Sequence, residues 1–283
     1  MHTLAHVEER TISLPGSDAT MLRRSSTNPD RRDAIVFLNG LLGDSSQWRL
    51  FDQYLPPTDY ADCYYIDHHY DSRKDPPTVA NVVRETLGLL NSGPLAEAAP
   101  PRLTLVGSSF GGNLALYLAA NRLVKPCNLA LFAPGGIPEV ARVSSLLGAF
   151  RTVSRIIDVS FERLFGDPRV AQKPLVQRFL KAYNERLSPR KRHYMRNMLS
   201  LTRSARSAVL TEAQLASIDA DTLLLWGRED EVTPPHLCEL FRQRLRRGSV
   251  FWLHAGHAGH VECAEESSAA LRRFVVERAR LAS

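Results

Sequence analysis

Fourteen residues, Leu103–Leu116, read LTLVGSSFGGNLAL, and they constrain this 283-residue chain more than any other stretch. A short apolar run passes through GSSFG into a segment rich in Ala and Leu, the pattern of a buried strand turning directly into a helix. A strand that turns so abruptly forces its corner residue into a strained backbone conformation, and only small neighbours tolerate the crowding. Gly107 and Gly111 supply them around Ser109. The Ser109 hydroxyl is expected to project beyond the sheet. The following helix, beginning at Phe110, aims free amide N–H groups and a partial positive charge at whatever reacts there. Ser109 is therefore the candidate nucleophile.

The rest of the chain alternates strands with helices. Strands are expected at Val7–Leu14, Ala19–Arg24, Ala34–Leu38, Cys63–Ile66, Leu129–Phe132, Thr222–Trp226 and Ser249–His254. Helices are expected at Gln47–Tyr54, Thr78–Leu90, Phe110–Asn121, Pro235–Leu245 and Glu265–Leu281. That order predicts an α/β fold, a mostly parallel central sheet with helices on both faces. Residues 137–215 break the rhythm, with helical periodicity and no strand, and Pro168, Pro174 and Pro189 mark the breaks. They are expected to form an inserted helical lid (cap), with 1–136 and 216–283 as the core. Its apolar stripes, which include Phe150, Ile157, Phe161, Leu164, Phe165, Tyr183, Tyr194 and Met198, are expected mainly to pack helix on helix.

Charge is distributed unevenly. The chain has a formal net charge of +6, yet residues 137–210 hold fifteen Lys or Arg against five Asp or Glu, and the remainder holds 21 against 25. A basic patch confined to one helical segment, without a recognised motif, argues against nucleic-acid binding. Two readings remain for it: solvation of amphipathic helices, or a docking field for an acidic partner. The N-terminus lacks the apolar core of a secretory signal, and no run is long enough to span a membrane. Cys63, Cys127, Cys238 and Cys263 form no CxxC pair and no zinc spacing. Reduced thiols in a cytoplasmic protein, with no metal or cofactor, are expected.

A serine hydroxyl needs a base, and the base needs a carboxylate to fix its tautomer. Candidates lie just past the later strands: Glu229, Asp230 and Glu231 in LLLWGREDEV, and His254, His257 and His260 in FWLHAGHAGHVE. Spacing alone does not choose within either trio. His68 and His69, in the polar stretch Asp67–Ser72, are expected to be solvated loop histidines.

Taken together, FLNGLLGDSSQW, GSSFGG, LLWGREDEVTP and AGHAGHVECAEE resemble the oxyanion loop, nucleophile elbow, acid turn and histidine loop of the α/β-hydrolase superfamily. The resemblance spans nearly the whole chain. It implies Asp230 as the acid and His257 as the base, with His260 in the place of a supporting histidine. It implies an oxyanion hole made by the backbone N–H groups of Phe110 and Leu41. Asn39 stands where the family usually has histidine, and its amide is expected to brace the loop instead. The implied activity is serine hydrolysis of an ester, thioester or lactone with an apolar acyl chain. The basic lid suggests an acyl carrier protein or a coenzyme A thioester as the acidic carrier. Two alternatives stay open. One is carbon–carbon hydrolysis of a ring-cleavage dienoate, suggested by VGSSFGGNLALYLA but weakened by Ala258 where that group often has tryptophan. The other is a ligand-binding, lyase or cyclase role in the same fold.

Overall fold

Every residue of Ala34–Leu38 is buried, and its side chains alternate between two apolar clusters. Ala34, Val36 and Leu38 face one, and Ile35 and Phe37 the other. A strand apolar on both sides must lie in the middle of a sheet covered twice, and it does. The computed structural model, which describes residues 9–26, 33–41, 43–55, 61–98, 102–141 and 164–282, contains one eight-stranded sheet. Its strands are β1 Glu9–Ser13, β2 Thr20–Arg24, β3 Ala34–Leu38, β4 Asp62–Asp67, β5 Leu103–Ser108, β6 Asn128–Phe132, β7 Asp221–Gly227 and β8 Gly248–Leu253. They lie in the order β1-β2-β4-β3-β5-β6-β7-β8. The two pairings that involve β2 are antiparallel and the others parallel. This is the fold class expected from the alternation of elements.

One face is covered by Val79–Leu90, Phe110–Ala120 and His236–Arg244, the other by the segment around Trp48 and Phe51 and by the last helix, Ala264–Ala282. The second of these segments is expected as one helix, Gln47–Tyr54. It is instead a 3-10 turn, Ser45–Trp48, running into a short α-helix, Arg49–Asp52, because the Asp44 carboxylate accepts from Ser46 N and tightens the first turn. Thr78 begins Val79–Leu90 with a reciprocal capping box to Asn81. None of the four cysteines is joined in a disulfide.

Between β6 and β7 the described regular structure is entirely helical. It comprises residues 138–141, the 3-10 turn Pro168–Gln172, the helices Pro174–Leu187 and Lys191–Ser204, and shorter turns up to Glu212–Ala216. Phe150, Ile157 and Phe161 lie outside the described residues. The remaining apolar stripes divide in two. Tyr194, Met198 and Leu201 join the main core, whereas Leu164, Phe165, Val176, Leu180 and Tyr183 form a third cluster with Ala258, Val261 and Ala264. Among the described residues no helix is long and apolar enough to cross a membrane.

The stretch after β4 departs from expectation. His68 is buried, with Nδ1 3.3 Å from Glu85 and Nε2 3.2 Å from Thr86. Arg73, also buried, donates to both Glu85 oxygens at 2.7 Å. His69 is half-buried and hydrogen-bonded to Thr20 at 2.8 Å. These are not solvated loop histidines. A bidentate Arg–carboxylate pair needs its remaining lone pairs satisfied once buried, and His68 fills that role.

Candidate active site

Ser109 sits at the junction of β5 and the helix Phe110–Ala120 with φ 52° and ψ −110°. A positive φ in a non-glycine residue costs about 1–3 kcal/mol and persists only where its surroundings over-determine it. Here the Ser109 N–H donates to Phe132 O at 2.8 Å, and its carbonyl accepts from Asn113 N and Gly135 N at 3.0 and 3.1 Å. The flanking glycines leave no alternative packing. A Cβ on Gly107 would stand 2.5 Å from Gly111 C, and one on Gly111 2.2 Å from Leu38 O. The steric argument from sequence is thus realised atom by atom, and Phe110, as the first helical residue, has an amide without a carbonyl inside its own helix.

The structure separates both trios. Glu229 and Glu231 are exposed, but Asp230 is buried beyond β7 and its carboxylate is fully used. Oδ1 accepts from Val232 N and Thr233 N, both at 2.8 Å, and Oδ2 from Thr233 Oγ1 at 2.8 Å and His257 Nδ1 at 2.9 Å. Burial alone would raise the Asp230 pKa, but His257 and the hydrogen bonds outweigh it and hold the carboxyl below its ordinary range. An acceptor-only carboxylate at Nδ1 puts the His257 proton there and leaves Nε2 bare, the tautomer a base requires. His254 is exposed, its Nδ1 3.8 Å from Glu229. His260 is buried and pushed down to about 3 by burial, with His257 adding to the effect.

His260 belongs to a different network. The Trp48 indole N–H donates to Asn39 Oδ1 at 2.8 Å and Gln47 Nε2 does so at 3.0 Å, so the Asn39 amide donates onward to Ile66 O at 2.8 Å. Gln47 therefore turns its Oε1 to His260 Nε2, 3.3 Å away, and that nitrogen carries the proton. The direction of the whole chain follows from Trp48, which can only donate, and Ile66 O, which can only accept. Asn39 thereby braces the loop that carries Gly40 and Leu41. That loop lies against the elbow, since a Cβ on Gly40 would meet Ser108 O at 3.4 Å and Ser109 Cβ at 3.6 Å.

Glu262 ties the histidine loop to the inserted segment. Its carboxylate accepts from Gly256 N at 2.7 Å, Gly166 N at 3.0 Å and Asp167 N at 2.7 Å. Alongside, Ala258 N donates to Leu164 O at 3.1 Å. Sequence reasoning noticed Glu262 only as part of a pattern, and it missed Thr233, Gln47 and Tyr194. Thr233 had a signal, a hydroxyl two residues beyond the acidic run; the other two act across long sequence separations and had none.

Known proteins share the fold of this chain. Similar solved structures include a serine hydrolase from the polyaromatic hydrocarbon-degrading bacterium Cycloclasticus zankles, 16% identical with a TM-score of 0.72, covering 95% of this chain and 97% of that one. An enol-lactonase from Burkholderia xenovorans LB400 is 20% identical with a TM-score of 0.69, covering 91% and 97%. The 2-hydroxy-6-oxo-6-phenylhexa-2,4-dienoate hydrolase of Rhodococcus sp. strain RHA1 is 18% identical with a TM-score of 0.69, covering 97% and 99%. At these identities the likeness concerns the fold. A model of the alpha/beta hydrolase family, however, matches residues 35–270, which include the elbow, the acid turn and the histidine loop, and the chain belongs to that family.

Proposed function

We propose that the protein is a serine hydrolase that cleaves carboxylic esters or thioesters, lactones included, through an acyl-enzyme. The observation that carries the reading is the buried Asp230–His257 pair, whose hydrogen bonding leaves Nε2 bare, in the same fold as a serine held at positive φ. Ser109 Oγ attacks the carbonyl carbon while His257 Nε2 takes its proton, and Asp230 stabilises the imidazolium. The oxyanion is held by the amides of Phe110 and Leu41. His257 returns the proton to the leaving alkoxide or thiolate, and a water deprotonated by the same nitrogen releases the acid and frees Ser109.

The inserted segment acts as the lid over an apolar acyl chain in this reading, and its charge favours an acidic carrier. Arg186 and Arg190 are spent in part on Asp71. The segment Ser188–His193, a turn running into the helix Lys191–Ser204, lines a groove of about 650 Å³ together with Asp71 and Ser72, and it keeps Arg192 exposed. That groove suits the phosphates of a coenzyme A thioester or the acidic face of an acyl carrier protein.

The test is acid and alcohol or thiol release from a panel of neutral esters, coenzyme A thioesters and a ring-cleavage dienoate, with Ser109→Ala beside the unaltered protein. Ester or thioester turnover that drops by about 10⁴-fold or more in the variant supports the reading. A preference for coenzyme A thioesters that fades with salt supports the basic groove. Turnover of the dienoate alone would replace the acyl-transfer reading with carbon–carbon cleavage, and no turnover with a folded protein would replace it with ligand binding.

A further inference from the structure

The carbonyl of Leu41 accepts a hydrogen bond from the Tyr194 hydroxyl at 2.8 Å, across 153 residues of sequence. Tyr194 is buried in the first turn of Lys191–Ser204, on the inserted segment. Its proton has one destination, because a carbonyl can only accept. The Tyr183 hydroxyl, hydrogen-bonded to Tyr194, must therefore donate its own proton to the Tyr194 oxygen. Burial, reinforced by Tyr183, keeps the Tyr194 phenol well above its ordinary pKa, so it remains a donor.

The same pair of helices grips the loop a second time. Arg186, near the end of Pro174–Leu187, pairs with Asp44, the residue that caps the turn Ser45–Trp48. Gly40 stands just before the first of these clamps and Gly43 just before the second, and glycines bring little stiffness of their own. Asn39 fixes the loop where it leaves β3 and Asp44 where it enters the turn. At Leu41 the described contact of the residue's own backbone is the one to Tyr194.

We propose that Tyr194 is a positioning residue that holds the Leu41 amide toward the oxyanion, so that the inserted segment completes the site as well as covering it. The inference rests on the serine-hydrolase reading. It makes a distinct statement about it: catalysis depends on a hydroxyl that never touches substrate.

The experiment compares Tyr194→Phe with the unaltered protein on the ester or thioester it turns over best. It also measures the affinity of a trifluoromethyl ketone, which forms a tetrahedral adduct on the serine and fills the oxyanion hole. Deleting an oxyanion donor outright costs about 10²–10³-fold in kcat, so loosening one is expected to cost about 10-fold. KM should stay within about 2-fold, because ground-state binding does not use the hole. The ketone affinity should fall by the same factor as kcat, with Tm nearly unchanged. Arg186→Gln, which loosens the loop through Asp44, carries the same readouts if Tyr194→Phe does not fold. Unchanged kcat and ketone affinity in a folded variant overturn the inference alone, as does a loss in which kcat, KM and Tm move together. An unaltered protein that neither turns over the panel nor forms the ketone adduct overturns the hydrolase reading, and this inference with it.

Discussion

The nucleophile elbow and the loop after β3 meet at Ser109 but are held in opposite ways. The elbow is gripped by its own helix and the adjoining strand: Ser109 bonds to Asn113 and, at the end of β6, to Phe132 and Gly135, and the glycines at 107 and 111 pack on each other. The acid turn is similar, with Asp230 bonded to Val232 and Thr233. The loop that carries Leu41 is held by the adjoining strand at Ile66 and otherwise from afar, by Arg186, Tyr194 and, through Gln47, His260. Local clamps form with the secondary structure. Remote clamps form only when the whole tertiary structure, the inserted segment included, has closed. Chemistry that depends on both is therefore as robust as its remote part.

Variants in the two regions should separate these dependencies. The largest effect is expected for Asp230→Asn, which keeps the backbone bonds at Oδ1 but removes the charge that sets the His257 tautomer. Turnover should fall by about 10³–10⁴-fold while Tm moves little, and circular dichroism beside the rate measurement checks both halves. A fall below 10-fold would show that the acid turn does not orient His257.

Next comes Glu85→Gln, which breaks the buried pair with Arg73 outside the site. Removing one partner of such a pair costs about 3–5 kcal/mol, read by urea denaturation. Burial would raise the Glu85 pKa, but His68 and Arg73 overcome it and bring it from 4.5 to about 2. A carboxyl depressed in the folded state contributes stability that is present above 4.5 and lost as pH falls toward 2. The unaltered protein should lose stability across that window, and Glu85→Gln should show a flatter acid limb. Equal slopes would assign the acid sensitivity elsewhere.

The smallest effect is expected for Thr233→Val. It removes the hydroxyl shared by Asp230 and His257 but keeps the Thr233 backbone bond, so kcat should fall by about 3- to 10-fold, in line with one neutral hydrogen bond of about 1 kcal/mol. A loss as large as that of Asp230→Asn would mean that the hydroxyl, and not the carboxylate, fixes the imidazole.

The same division explains what could be read from the chain. Strand β3, the elbow and the helix after it were legible to within a residue or two, because adjacent side chains determine them. The choice among Glu229, Asp230 and Glu231 was not. Their spacing is equivalent, and the contact with His257 that sets Asp230 apart from its neighbours is a tertiary result. His68 read as a loop histidine because Arg73 and Glu85, which bury it, look solvated when taken one at a time. The bond from Tyr194 to Leu41 left no trace in either local sequence.

Glu262 has a consequence for redesign. One carboxylate receives an amide from the histidine loop and two from Gly166 and Asp167 within the inserted segment. It works as a shared rivet, so the segment cannot lift there without unseating the neighbour of His257. A graft of a foreign insertion onto this scaffold needs to preserve the Gly166–Asp167 contact with Glu262, whatever helices it exchanges beyond it.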